Sequence, residues 1–375
     1  MFSNVLNLKS LATRKLIELI GGPEYLTIQL DITNACNLNC THCYHKDHKN
    51  QGAASFQDWC EIINQYENLL RKLNTKASFV ICGGEPLLSK TFKPIIERIR
   101  SKWAKAPISV LTNGTLLSEK NIIFLKENSI DLQVSLDGPN AELHDKKRGK
   151  GNFDRSIEGV KRALDSDLKV HFLGILSKQT APWIPDFFEM AKELKIYSMN
   201  FTRLIPVGQG EKLVNSGSDE PLKGHDLRDA YVSILKNSRL SGVHTNTNKP
   251  LFCLIDDSLG ASAKFGFQGI VVDYRGNLKV SSRTNHILGN VINEGLENLF
   301  LRHPLMKQFR KGEIQGCSKC EHLSKCGGDR NVSFADTGSY LGFDHGCWKP
   351  EFQHLKGEDN ETEKIDSIVV GHLAN

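Results

Sequence analysis

The sequence predicts an α/β chain: a partial (β/α)6 TIM-type barrel followed by a small cysteine-rich domain with a β-hairpin. Three observations predict it. Short β-rich runs alternate with amphipathic helical runs six times between residues 25 and 206. That rhythm stops at about residue 205, where stretches rich in Gly, Ser, Asn and Asp take over. The cysteines cluster twice, once directly after the first strand and once over 317–347. Strands separated by helices pair in parallel and present their functional loops at the strand C-termini.

Taken in order, residues 4–20 carry Val5, Leu8, Leu11, Leu16, Leu19 and Ile20 near helical spacing, and Gly21-Gly22-Pro23 ends the run. An N-terminal helix is therefore expected within 1–24, closing one end of the barrel. Strands are expected over 25–33, 77–82, 106–111, 130–136, 169–176 and 197–204. Helices are expected over 55–74, 90–103, 118–128, 153–166 and 183–194. Together they make the 25–206 barrel. Residues 207–250 read as a linker or bridging region with one helix at 225–237. The domain over 251–353 opens with a hairpin, Gly269 to Val280, turning at Arg275-Gly276-Asn277. A polar tail, 354–375, completes the chain.

Composition narrows the function class. The 375 residues are 39% hydrophobic and 24% charged, as in an ordinary globular enzyme. A net charge of +5 is mild and spread along the chain, which does not suit a nucleic-acid binder; Lys146, Lys147, Arg148 and Lys150 form one local basic cluster. No apolar run is long enough to span a membrane and no secretion signal is visible, so a cytoplasmic protein without a membrane partner is expected. Ten cysteines in a reducing compartment are then metal or catalytic ligands rather than disulfides.

Cys36, Cys40 and Cys43 stand at C-x3-C-x2-C spacing after the first strand. Three thiolates on one loop can hold three irons of a [4Fe–4S] cube and leave the fourth open. Zinc is the competing reading, with His42 or His45 as fourth ligand. The next strand ends bring Gly83-Gly84-Glu85-Pro86, Leu111-Thr112-Asn113-Gly114 and Ser135-Leu136-Asp137-Gly138-Pro139, with Arg148 eleven residues beyond Asp137. Paired glycines permit close backbone approach to a ligand, and Glu85 and the glycine carbonyls can accept from an ammonium group. The Asn113 amide and Ser135 hydroxyl suit a ribose. Arg148 suits a carboxylate, or else is a solvated charge of the basic cluster.

In that joint order, these motifs resemble the radical S-adenosylmethionine (radical SAM) superfamily. The resemblance implies that Cys36, Cys40 and Cys43 ligate a [4Fe–4S] cluster whose open iron takes S-adenosyl-L-methionine. Reductive cleavage would then give a 5′-deoxyadenosyl radical, with a flavodoxin- or ferredoxin-like protein as external one-electron donor. It further implies that His42 lies against the adenine and that Gly83, Gly84 and Glu85 hold the methionine amino group. Ser135 would face the ribose, Arg148 the methionine carboxylate, and Ile175 and Leu204 would neighbour the adenine.

Cys317-x2-Cys320-x5-Cys326, with Cys347 further on, can complete a second four-iron cluster or a structural zinc site. The segment resembles the SPASM domain of peptide-modifying radical SAM enzymes, which implies that these four cysteines hold the outer auxiliary [4Fe–4S] cluster. The pattern departs from that family at the inner cluster. Asp329 and Ser281 stand where cysteines are expected, and the cysteine before the hairpin is missing. Two oxygen groups without a thiolate make a poor iron–sulfur site, so two clusters in all are expected. Cys60, Cys82 and Cys253 read as single core residues, Cys82 beside the pocket wall.

The expectation is a radical SAM/SPASM maturase that abstracts hydrogen from an unactivated carbon of a ribosomally made precursor peptide. The product would be a C–C or C–O cross-link in preference to a thioether, an epimer or an oxidised residue. The alternative is an oxidoreductase acting on a small molecule such as a sugar, a tetrapyrrole or an antibiotic intermediate. A non-catalytic iron–sulfur or zinc protein fits the motifs poorly.

Overall fold

The computed structural model describes residues 24–45, 47–260 and 269–349. The helix expected at 4–20 and the tail from 354 lie outside the described residues.

Six strands and their helices follow one another as the alternation requires. β1 (Tyr25–Asp31), β2 (Lys76–Cys82), β3 (Ile108–Thr112), β4 (Asp131–Ser135), β5 (Val170–Leu176) and β6 (Ser198–Arg203) each pair in parallel with the next. Between them run α1 (Phe56–Leu73), α2 (Phe92–Lys102), α3 (Glu119–Glu127), α4 (Ala141–Arg148), α5 (Asn152–Asp165) and α6 (Ile184–Glu193). α1 starts at a capping box. Ser55 Oγ accepts from the Asp58 N–H and Asp58 Oδ2 accepts from the Ser55 N–H, a device worth about 1 kcal/mol. Tyr66 of α1 donates its buried hydroxyl to the Leu26 carbonyl, locking the helix onto β1.

Period-two alternation divides each strand between two environments. Leu26, Ile28 and Leu30 join the core with Trp59, Ile62 and Ile63 of α1. Gln29 of β1, Gln133 and Ser135 of β4 and Thr202 of β6 instead line the inside of the curved sheet. α4 has no counterpart in the expected helices. Of its eight residues only His144 and Lys147 are buried, so it carries no apolar stripe for periodicity to reveal.

Beyond β6 the structure departs from a simple linker. Residues 207–250 hold α7 (Gln209–Asn215) and α8 (Gly224–Ser241), and α8 packs against α6. The hairpin strands β7 (Gly269–Val272) and β8 (Asn277–Lys279) form as expected, with the turn at Asp273–Gly276. Gly276 takes φ of +81°, and Asp273 Oδ1 accepts from the Arg275 and Asn277 N–H groups. The hairpin is not a separate layer. β7 pairs in parallel with β1, Thr27 opposite Gly269 through Leu30 opposite Val272, and β9 (Ile287–Asn290) follows β8. The result is one nine-stranded sheet, β6-β5-β4-β3-β2-β1-β7-β8-β9. Pairing with β7 covers the β1 edge that a partial barrel leaves open. Short helices α9 (Val291–Glu294), α10 (Leu296–Arg302), α11 (Pro304–Lys311) and α12 (Arg330–Thr337) complete the described chain. No described helix is long and apolar enough to cross a membrane.

Candidate active site

The cysteine loop after β1 is held from three sides by main-chain hydrogen bonds. From β2, the Gly84 N–H donates to the Thr33 carbonyl and the Glu85 N–H to the Ala35 carbonyl, both at 2.8 Å. From α4, the Lys147 carbonyl accepts from the Thr41 N–H at 2.9 Å; at the start of α7, the Gln209 N–H donates to the Cys43 carbonyl at 2.7 Å. These contacts explain the glycine pair. A Cβ on Gly83 would stand 2.2 Å from the Thr33 oxygen, and one on Gly84 2.3 Å from the Ala35 oxygen. The glycines are thus required by the approach of two loops, not only by approach to a ligand.

Cys36, Cys40 and Cys43 line a cavity of about 650 Å³ inside the curved sheet. Eight of the nine expected cofactor-binding residues line it with them: His42, Gly83, Gly84, Asn113, Ser135, Arg148, Ile175 and Leu204. Cys82 lies on its wall. Glu85 does not reach it. Its carboxylate is wholly buried behind the wall, accepting from Thr112 Oγ1 at 2.8 and 2.9 Å, the Asn113 N–H at 2.8 Å and the Leu87 N–H at 3.2 Å. Burial raises its pKa to about 7 against those donors. In this structure the Glu85 carboxylate braces the β2 and β3 loops.

Arg148 is likewise not a solvated charge. Its Nε meets Asp137 Oδ2 at 2.5 Å, with side chains 11% and 0% exposed, and its Nη1 lies 4.0 Å from Cys40 Sγ. Lys147, from the same basic cluster, is buried against Asp219. Asp137 is the residue that sequence reasoning quoted without assigning a role. Besides Arg148, it receives His42 Nε2 at 3.1 Å and the Ile175 N–H at 3.0 Å, so one carboxylate orients three cavity-lining residues. Burial alone would raise its pKa, but Arg148 and His42 hold it well below the usual range. The eleven-residue interval from Asp137 to Arg148, spanned by α4, was the signal for this pair.

Burial pushes the Cys40 thiol up to about 11 despite Arg148, and raises those of Cys36 and Cys43. Metal loading at this loop therefore releases protons. The donor set fits an open-site cluster: three thiols on one loop facing one cavity, with a guanidinium beside one of them. His42 Nε2 is engaged by Asp137, and among the described residues no three His, Cys, Asp or Glu groups gather to hold a single metal ion.

Ser281 and Asp329 also line this cavity. Neither is arranged as a metal ligand. Asp329 Oδ1 caps α12, accepting from the Asn331 N–H at 3.0 Å, and Ser281 Oγ accepts from the Arg283 N–H at 3.1 Å. Of the C-terminal cysteines, Cys326 and Cys347 act electrostatically on Cys317, and Cys326 and Cys320 on Cys347; burial raises Cys317 to about 12 and Cys347 to about 11. Cys253 is not a solitary core residue: its thiol meets Cys326, which is lowered by that bond and also accepts from the Leu251 N–H at 3.3 Å. The segment is anchored to the barrel by a buried pair, Arg203 Nη1 to Asp344 Oδ2 at 2.7 Å.

Residues 30–191 match the radical SAM superfamily. An AdoMet-dependent heme synthase of Oleidesulfovibrio alaskensis is 22% identical over 342 residues, covering 86% of each chain. The mycofactocin maturase MftC of Mycolicibacterium smegmatis is 26% identical over 326 residues, 82% of this chain and 78% of its own. Among solved structures, Streptococcus suis SuiB bound to precursor peptide SuiA matches with a TM-score of 0.70 at 18% identity, over 92% of this chain and 80% of that one. At that identity the likeness is one of fold.

Proposed function

We propose that the chain, whose residues 30–191 match the radical SAM superfamily, is a radical SAM enzyme of the SPASM type that matures a peptide. It acts on an unactivated carbon of a ribosomally made precursor peptide, giving a C–C or C–O cross-link, an epimer or an oxidised residue. The observation that carries this reading is the single cavity. The three thiols line it together with Ser281 and Asp329, the positions at which an inner auxiliary cluster would otherwise be held. A volume of about 650 Å³ is in the range of ligand sites and leaves room beyond a nucleoside-sized cofactor. The likeness to MftC and SuiB, named as a maturase and as a protein bound to a precursor peptide, supports a peptide substrate.

In this reading Cys36, Cys40 and Cys43 hold the open-site [4Fe–4S] cluster, and Cys317, Cys320, Cys326 and Cys347 hold a second, fully ligated one. The open-site cluster, when bound, supplies the electron that cleaves S-adenosyl-L-methionine to a 5′-deoxyadenosyl radical. The protein's own part is orientation and exclusion of water. Arg148, set by Asp137, offers two-pronged donors to the methionine carboxylate. Main-chain groups of Gly83 and Gly84 receive the amine, while His42, Ile175 and Leu204 enclose the adenine and Ser135 and Asn113 the ribose.

A second reading, a small carboxylated molecule such as a tetrapyrrole, is supported by the heme synthase that matches over 86% of both chains. Reconstituted protein should hold about eight irons, as two four-iron clusters, and cleave S-adenosyl-L-methionine under reduction by a flavodoxin- or ferredoxin-like donor. Loss of cleavage in Cys40→Ala is expected. Absence of cleavage in the reduced wild type overturns the radical reading, and four irons plus zinc overturns the second cluster. A short peptide gene beside this one would favour the peptide over the small molecule.

A further inference from the structure

The cavity wall carries a group of cations beyond what its own acids offset. Lys249, Arg283, Arg203 and Arg330 all line it, with Asp329 the acid on its wall. Lys249 Nζ reaches the Phe201 carbonyl and Arg283 Nη1 reaches Thr202 Oγ1, neutral oxygens in both cases. Arg203 and Arg330 are 5% and 8% exposed, and each keeps guanidinium nitrogens without a partner: Nε and Nη2 of Arg203, Nη2 of Arg330. The carboxylates acting on the four are Asp344, paired with Arg203 Nη1, and Asp329, which caps α12 and attracts Lys249 at longer range. Four cations against two carboxylates leave a formal excess of two positive charges on a largely buried wall.

Such an excess is costly, because buried cations are stabilised by pairing rather than by neighbours of like sign. The strain is visible at Lys249, whose pKa burial and the Arg283 guanidinium lower to about 8. Arg330 also feels Cys317 and Cys326, and so serves the C-terminal thiols in part. Lys249 has no such second role in the structure; Arg283 adds only the contact with Thr202. Both line the cavity that the cysteine loop also lines, Arg283 two residues from Ser281.

We propose that Lys249 and Arg283 form a subsite for a carboxylate of the substrate, with Arg203 and Arg330 supplying the surrounding positive field. This rests on the cavity being the substrate chamber of the radical SAM site. It deepens that reading by naming what the substrate must carry: an anionic oxygen group, held in the cavity that Cys40 and Arg148 also line. A guanidinium and an ammonium with free donors bind a carboxylate through charge-assisted hydrogen bonds. The carboxylate can belong to an acidic side chain or C-terminus of a peptide, or to an acid side chain of a tetrapyrrole.

Direct binding to cluster-reconstituted protein containing S-adenosyl-L-methionine separates these sources. The probes are fluorescently labelled hexaglutamate, its hexaglutamine counterpart and coproporphyrin III, a tetracarboxylate tetrapyrrole. At least one carboxylate probe should bind more tightly than hexaglutamine and weaken with added salt; which one binds identifies the source. K249Q and R283Q should each weaken it by about tenfold or more, as expected for bonds to a charged group, while R283K retains most of the affinity. S-adenosyl-L-methionine binding should be unchanged in all three variants, which shows that the cavity is intact. If neither carboxylate probe exceeds hexaglutamine, or if K249Q and R283Q bind as the wild type does, the subsite is refuted. Should a glutamine variant fail to fold, the salt dependence of the wild type and the affinity of R283K decide. Reductive cleavage is measured separately, so failure of the radical reading and failure of the subsite are told apart.

Discussion

Replacing Asp137 by Asn tests whether one buried carboxylate organises the cofactor end of the cavity. The side chain is wholly buried and meets Arg148 at 2.5 Å, His42 at 3.1 Å and the Ile175 N–H at 3.0 Å. Asparagine keeps the shape and can still accept from Ile175, but leaves the Arg148 guanidinium uncompensated at 11% exposure. This pair is therefore not in the surface class worth under about 1 kcal/mol; breaking a buried pair from one side costs about 3–5 kcal/mol. Asp137→Asn should lower the unfolding free energy by an amount of that order, read as a shifted denaturant midpoint at constant slope under anaerobic conditions. Asp137→Asn/Arg148→Met removes both charges and should recover much of the loss, giving a coupling that simple additivity does not. The sign with pH is definite. Asp137 has a folded pKa below its unfolded value, so its contribution is complete above the unfolded pKa of about 4 and is lost as pH falls through the folded pKa. A loss under about 1 kcal/mol, judged against the surface-pair range, or strict additivity of the two changes, would refute the reasoning.

Further tests address other parts of the site. Glu85 has a folded pKa of about 7, above the unfolded value, so the folded state binds the extra proton and stability falls as pH rises from about 4.5 to 7. Thermal midpoints across that window should flatten in Glu85→Gln but not vanish in slope, since burial also raises Asp31 to about 6. Gly84→Ala places a Cβ 2.3 Å from the Ala35 oxygen, and iron incorporated at the cysteine loop should drop sharply while the C-terminal complement is retained. On the proposed outer-cluster assignment, Cys253→Ala removes the thiol that donates to Cys326 and should move that cluster's potential to more negative values in an anaerobic titration.

Much of this protein is written locally. The 25–206 alternation determines six parallel strands, because each apolar period of two or 3.6 is satisfied within a few residues of itself. The cysteine spacing and the loops at the strand ends are legible for the same reason: strand C-termini of a parallel sheet converge on one face. α4 escaped notice because its buried residues, His144 and Lys147, are polar. What the tertiary structure alone decided involves residues far apart in the chain. β7 joins β1 across the 237 residues that separate Asp31 from Gly269, a pairing no local pattern encodes. Glu85 turns behind the wall because Thr112 and Asn113 offer it donors there, and the glycine pair answers to the Thr33 and Ala35 carbonyls rather than to a ligand alone. Lys249, Arg283, Arg203 and Arg330 are unremarkable as scattered charges in sequence. Only packing brings them to one wall, because charge has no periodicity to announce where it will be buried.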